Sequence, residues 1–353
     1  MRRSGLASVL VGVLLVTACG GTAAPSASPP ATASAAAPAP AATAAPSASK
    51  ALEKIEIGYA AVSSNQASAW VAKDKGIFAK YGLDATLENI GGGSSPTAAL
   101  LADKITALQI SVEAMSATLQ GGDIVYVAAP ISVPLFWLIS GKGVKTAADL
   151  KGKKVAATGI GTATYYAAVL GLQKLGLTPT DVTFVHTNTV PAILAAVESG
   201  QVAAGAVSMP TYSKAKAAGL NTLVNVADVG FRYPSSWVAV RRKTIQERPE
   251  LVAAIVKAET EAISVEIKDP AATEAIIGRY TKITDQALLK ETYDDLAPHL
   301  NKVPTPAVDE VKAALGLLAA TEPKAKTADP QSFVDTSFVD ALQKSGFIDS
   351  LYK

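Results

Sequence analysis

The chain has 353 residues, 49% hydrophobic and 18% charged, which places it among globular proteins and excludes a disordered or fibrous class. Its 32 Lys and Arg against 30 Asp and Glu leave no basic surplus to attract nucleic acid, and no block of like charge stands out. A single cysteine and two histidines, His186 and His299, exclude an internal disulfide and a Cys/His zinc cluster.

At the start of the chain, Arg2 and Arg3 precede an apolar run from Leu6 to Val16 that is too short to cross a bilayer and stops at "VTAC". Residues 1–19 therefore read as a secretory signal peptide, and Cys19 stands where the acylated cysteine of a bacterial lipoprotein stands. Without Arg2 and Arg3 the charge balance is 30 against 30. From Gly20 to Ser49 the chain uses only Gly, Ala, Pro, Ser and Thr, too little apolar mass to offset its ordering entropy. Residues 20–50 are expected to form a disordered tether reaching about 30 Å. Together these segments predict an extracytoplasmic body, lipid-anchored to the cell membrane through Cys19.

From Ile55 short β-rich runs alternate with helical segments, the pattern of a largely parallel sheet covered by helices. "IEIGYA" predicts the first strand, and a helix with Trp70, Val71, Ile77 and Phe78 on one face follows it. "ATLENI" is the second strand and "GGGSSP" a loop, with Ser95 expected as helix N-cap and Pro96 at the first helical position. "TALQISV", "DIVYVAAPIS" and "PLFWLIS" are three further extended runs. A second series starts at Lys154 with "KVAATG", a helix over Thr162–Leu175, the strand "VTFVHT", the helix "VPAILAAVESG", the strand "AAGAVS" and a helix ending on Gly219. "ADKITALQISVEA" echoes "SGQVAAGAVSMP", with Ile105 against Val202 and Ser111 against Ser208, which predicts two similar α/β lobes. After "SSWVAVRR" only helices are expected, with Leu251, Ile255 and Val256 at helical spacing. The predicted organisation is lobe 1 over 51–138, lobe 2 over 139–236, and a return to lobe 1 with a C-terminal helical extension over 237–353. Segments near Pro134–Ser140 and Ser235–Val240 would cross between lobes, leaving a ligand cleft at the carboxyl ends of the strands.

The stretch "TGIGTATYY" resembles a dinucleotide fingerprint, but Thr164 replaces the third glycine and Asp181 precedes, rather than ends, the next strand. No Gly-Lys-Ser/Thr follows it either. What remains is a helix start at Gly161, Thr162, Ala163 and Thr164, whose N–H groups, dipole and hydroxyls suit an anion. Opposite it should lie Ser63, Ser64 and Asn65, with Gln66, in the loop after strand one, and Gly93 and Ser94 in the glycine loop. Glu113, after strand three, either binds a cationic ligand group or simply favours a helix start. Thr187, Ser208 and Tyr233 complete the expected binding set near second-lobe strand ends. Trp137, Trp237, Tyr165, Tyr166 and Tyr212 could sandwich an organic solute, and Arg232 could pair with a carboxylate.

"AKDKGIFAKYGLDATLENIGGGSS", "TAADLKGKKVAATGIGTATYYA", "AAVESGQVAAGAV" and "RPELVAAIVKA" resemble, in order and spacing, the solute-binding proteins of ABC importers in the nitrate, sulfonate, taurine and thiamine-precursor group. The resemblance covers Ile55 to Ala258 and implies a two-lobed periplasmic-binding-protein-like fold of type II. It further implies capture of a small anionic solute at the Gly161–Thr164 turn, delivery to an ABC permease and ATPase, no cofactor, and action as a monomer. Thr106 and Ala203 stand where members often carry Asp. Pyrimidine synthases of thiamine biosynthesis share this fold resemblance, but their motif is a cysteine-rich run, and no cysteine follows Cys19. With no Gly-x-Ser-x-Gly or His-Glu-x-x-His either, binding is expected rather than catalysis.

Overall fold

The computed structural model describes residues 51–91 and 93–353; the signal segment with Cys19 and the tether lie outside the described residues. Two five-stranded sheets organise the described chain. In the first, the order is β2 (Leu83–Asn89), β1 (Glu53–Tyr59), β3 (Ala107–Ile110), β10 (Ser236–Arg241) and β4 (Ile124–Ile131). The second runs β7 (Thr183–His186), β6 (Lys154–Ala157), β8 (Ala204–Val207), β5 (Trp137–Ser140) and β9 (Asn221–Asn225).

Neither sheet is purely parallel. β1 lies parallel to β2 and β3, and β6 to β7 and β8, but β10 is antiparallel to β3 and β4, and β5 to β8 and β9. The reversed strands are the two that follow a crossing between lobes. Parallel strands fed by helices end at the cleft; a strand entering from the other lobe begins there and must run the opposite way. The crossings lie between Ile131 and Trp137 and between Asn225 and Ser236, so Trp137 and Leu138 belong to the second sheet and Ser236 to the first. They are tied together: Tyr233 N donates to Ser132 O at 3.0 Å, and the Trp237 indole donates to Ser132 Oγ at 3.1 Å.

Helices cover both sheets. Those used below are α1 (Ala67–Asp74), α2 (Ser95–Leu101), α3 (Glu113–Leu119), α4 (Ala163–Lys174), α5 (Val190–Glu198), α6 (Thr211–Ala217), α7 (Pro249–Lys268), α8 (Pro270–Thr281), α9 (Gln286–Leu296) and α10 (Val308–Leu318). The cap position of α2 falls to Ser94 and not Ser95, because the Ser94 carbonyl accepts the first intrahelical N–H, that of Ala98, at 3.0 Å. Leu251, Val252, Ile255 and Val256 of α7 pack with Ile55 and Ile57 of β1 and with Trp70 and Phe78. The lobes also share apolar packing: Tyr165, Tyr166 and Val169 of α4 join Leu108, Met115, Tyr126 and Trp237 of the first lobe and Val311 and Leu315 of α10 in one cluster. Within the second lobe, Gly205 of β8 is required by close approach, since a Cβ there would meet Ile193 Cγ2 of α5 at 2.3 Å.

Candidate functional site

A cavity of about 300 Å³ lies between the sheets at the carboxyl ends of their parallel strands. From the first lobe it is lined by Ser63, Asn65, Gln66, Asn89, Ser111 and Glu113. The second lobe contributes Thr158, Ala163, Thr164, Asn188, Ser208 and Lys214, and the crossings contribute Phe136 and Ser235. Strand-to-helix turns position most of these groups. Ser63 caps the short turn after β1 by accepting the N–H of Asn65 at 3.5 Å, and Gln109 of β3 braces that turn by donating to Ser68 Oγ at 3.0 Å. Several buried atoms of this turn and the cleft floor have no hydrogen-bond partner: Ser64 Oγ, Asn65 Oδ1, Gln66 Oε1 and Ser235 Oγ. Buried polar atoms in native folds are normally paired, so their convergence marks a place where a polar molecule fits.

The helix start of α4 is organised differently from expectation. Gly161, with φ of +80°, lets the chain turn into the helix, a conformation that disfavours any Cβ. The hydroxyls of Thr162 and Thr164, expected to face an anion, are buried and turned on one another. Thr162 Oγ1 donates to Gly159 O at 2.7 Å and accepts the N–H of Tyr165; Thr164 Oγ1 accepts the N–H of Thr158 at 2.9 Å; the Thr158 hydroxyl lies 3.0 and 2.8 Å from the other two. The N–H of Ala163 is taken as well. It donates to Oε1 of Glu113, across the cleft, at 2.8 Å. A carboxylate of the first lobe thus occupies the anion position of the second. Its other oxygen, Oε2, is enclosed and has no partner. Burial pushes the Glu113 carboxyl up, and the backbone N–H groups of Ala163, Glu113 and Ser111 oppose the shift.

Glu113 also borders a second cavity of about 250 Å³, lined by Gly93, Ser94, Gly161, Thr162, Ser116 and Glu322. The expected residues therefore divide. Ser63, Asn65, Glu113, Ala163, Thr164 and Ser208 line the interlobe cavity, Gly93, Ser94, Gly161 and Thr162 lie on the far side of Glu113, and Ser64 is buried beneath the first group. Thr187 and Tyr233 line neither: the Thr187 hydroxyl donates to Ala157 O at 3.3 Å, joining strand ends, and Tyr233 is fully buried. Burial, and then the nearby charge of Glu113, push the Tyr233 hydroxyl up.

The aromatics pack among themselves. Trp137 stacks on Tyr212 at 4.2 Å, Trp237 meets Tyr126 edge-on, Tyr165 tilts against Phe184, and Tyr166 shares a hydroxyl contact with Thr321 at 3.1 Å. Arg232 pairs with Glu310 at 2.7 Å instead of facing a solute. Among the described residues that line the cavity, Phe136 is the aromatic one. Asn89, Ser111, Thr158, Asn188, Lys214 and Ser235 also line the cavity, and their residue types alone do not single them out. All but Lys214 and Ser235 sit at or just after the carboxyl end of β2, β3, β6 or β7, so applying the strand-end rule to every parallel strand finds them. Among the described residues lining the cavity, Glu113 and Lys214 are the charged ones.

Two mixed sheets, two linked crossings and a cleft at the strand ends define the two-lobed architecture of periplasmic binding proteins. The chain belongs to the NMT1/THI5-like family, which matches it over residues 63–273. Solved structures of similar fold include the alkanesulfonate-binding protein SsuA of Xanthomonas axonopodis pv. citri bound to MOPS, at 20% identity and TM-score 0.70, covering 81% of this chain and 99% of that one. The periplasmic aliphatic sulphonate-binding protein SsuA of Escherichia coli matches at 21% identity and TM-score 0.66, covering 80% and 97%. The periplasmic nitrate-binding protein NrtA of Synechocystis PCC 6803 matches at 14% identity and TM-score 0.65, covering 84% and 88%. A search of the curated proteins finds no match.

Proposed function

We propose that this protein is the extracytoplasmic receptor of an ABC importer, held to the membrane by a lipid on Cys19, which closes its lobes around one small polar solute and presents it to a permease and its ATPase. The observation that carries this reading is the interlobe cavity itself, where unpartnered buried oxygens of the first lobe face the α4 start of the second. A solute bridging both lobes stabilises the closed arrangement by contacts the open one lacks. The sulfonate and nitrate of the structural relatives are natural first candidates, together with carboxylates and thiamine precursors. The position of Glu113 adds a condition to them: an anionic group either displaces that carboxylate from Ala163 or binds clear of it, toward Lys214. Binding rather than catalysis is favoured because the pyrimidine synthases of thiamine biosynthesis that this chain resembles carry a cysteine-rich run, and Cys19 is the chain's one cysteine.

Screening small solutes by thermal unfolding tests the receptor reading. A solute at a hundred times its Kd adds about 2.7 kcal/mol, which raises Tm by roughly 5 °C or more. Small-angle scattering should show compaction with the same solute, and Cys19→Ser should release the protein from the membrane fraction. If no small solute raises Tm or compacts the protein, the reading falls.

A further inference from the structure

We infer that the solute carries a hydrogen-bond-donating nitrogen, an amine, amidine or amino-heterocycle, which lies against the carboxylate of Glu113 when the lobes close; the inference rests on the receptor reading above. Glu113 stands at the junction of the two lobes and borders both cavities. Closure commits its Oε1 to the N–H of Ala163 at 2.8 Å and leaves Oε2 enclosed without a partner. No ion pair to Glu113 forms among the described residues. An ionised carboxylate oxygen only accepts, and an enclosed one without a donor is costly, so the complementary partner is an N–H group, best a cationic one.

Part of the donor set that an oxyanion would use at the same place is already committed. An oxyanion at the α4 start needs free donors, but the Thr162 and Thr164 hydroxyls are spent on Gly159, Thr158 and each other, and the Ala163 N–H is spent on Glu113. On the first-lobe side the unpartnered atoms are two amide oxygens, Asn65 Oδ1 and Gln66 Oε1, which accept, and the Ser64 hydroxyl, which accepts or donates. Those amides can turn to offer N–H instead, whereas Glu113 in its ionised form, which a cationic N–H group beside it favours, only accepts, so Glu113 sets the preference and the amides adapt to it. The second lobe's Lys214 leaves room for an anionic group elsewhere on the same molecule.

Matched probes test this on the full-length protein by isothermal calorimetry: benzamidine against benzoate, and n-butylammonium against butyrate. Wild type should bind each nitrogen donor at least tenfold more tightly than its carboxylate counterpart. In Glu113→Gln the amide oxygen keeps the Ala163 contact while its NH₂ replaces Oε2, so benzamidine should lose at least tenfold and benzoate should gain. Glu113→Ala, a second variant, should bind the two alike. Wild type that prefers the carboxylates, or benzamidine affinity untouched in both variants, overturns the inference and leaves the receptor standing. If none of the four probes binds wild type at millimolar concentration, while sulfonates or nitrate do, the inference alone falls; if those fail too, the receptor reading falls with it.

Discussion

The threonines at the start of α4 are structural before they are anything else. The Thr162 side chain caps the helix, and Thr164 accepts the N–H of Thr158, so replacing both by Val removes a cap and strands a buried donor. Loss of a cap costs about 0.5–2 kcal/mol and an unsatisfied buried group about 1–3. The double variant should therefore unfold several degrees lower, with solute affinity changed less than tenfold. A tenfold loss of affinity at unchanged Tm would return these hydroxyls to the binding site. Glu259 of α7 makes a second case, since burial pushes its carboxyl up to about 7 from an ordinary 4.5. A carboxyl raised on folding contributes stability that is present below about 4.5 and lost as pH rises through about 7. Glu259→Gln should then gain Tm over wild type at pH 8 and lose that advantage at pH 5; equal differences at both values would show that Glu259 does not titrate in this range. Residue types were legible in the sequence, down to Glu113 as a charge facing the cleft. Its partner was not, because Ala163 lies 50 residues away in the other lobe and the bond exists only when the lobes meet.

Helix and strand positions follow from hydrophobic period and turn chemistry, and they placed the cleft where the parallel strands end. The direction of β5 and β10 did not follow, because an apolar run has the same period read either way; it is set by which side of the sheet the chain enters. The same limit moved the lobe boundary. Trp137 falls within the 51–138 segment predicted for lobe 1, whereas pairing with Val207 and Asn225 sets it in the second sheet. Helix-on-sheet distance is also invisible in sequence. Ile193 of α5 lies so close to Gly205 that Gly205→Ala forces a displacement, costing about 1–3 kcal/mol by overpacking. The Tm of the Gly205→Ala protein should drop by several degrees, and the smaller side chain of Ile193→Val in the same chain should restore part of the loss. Additive losses from the two changes would mean that another contact, such as Ala156 O at 3.1 Å, sets the limit.

At the scale of the whole molecule, the lobes meet at more than one place around the cavity. Glu113 and Ala163 meet at one side; at another, Glu291 of α9 accepts from Ser213 of α6 at 2.8 Å and pairs with Lys216. The side chains of Lys216 and Glu291 are 42% and 38% exposed, so that ion pair alone is worth no more than about 1 kcal/mol. The Ser213 bond to a charged acceptor adds about 1.5 kcal/mol or more when shielded. Neither contact belongs to the core of one lobe, so their loss should act on the equilibrium between open and closed forms more than on unfolding. Glu291→Ala should leave Tm within about 2 °C, increase the radius of gyration of the solute-free protein, and weaken solute binding several-fold, because the closed population sets apparent affinity. A larger fall in Tm with unchanged scattering would assign Glu291 to fold stability, and unchanged affinity would mean that the α6–α9 contact follows closure without driving it.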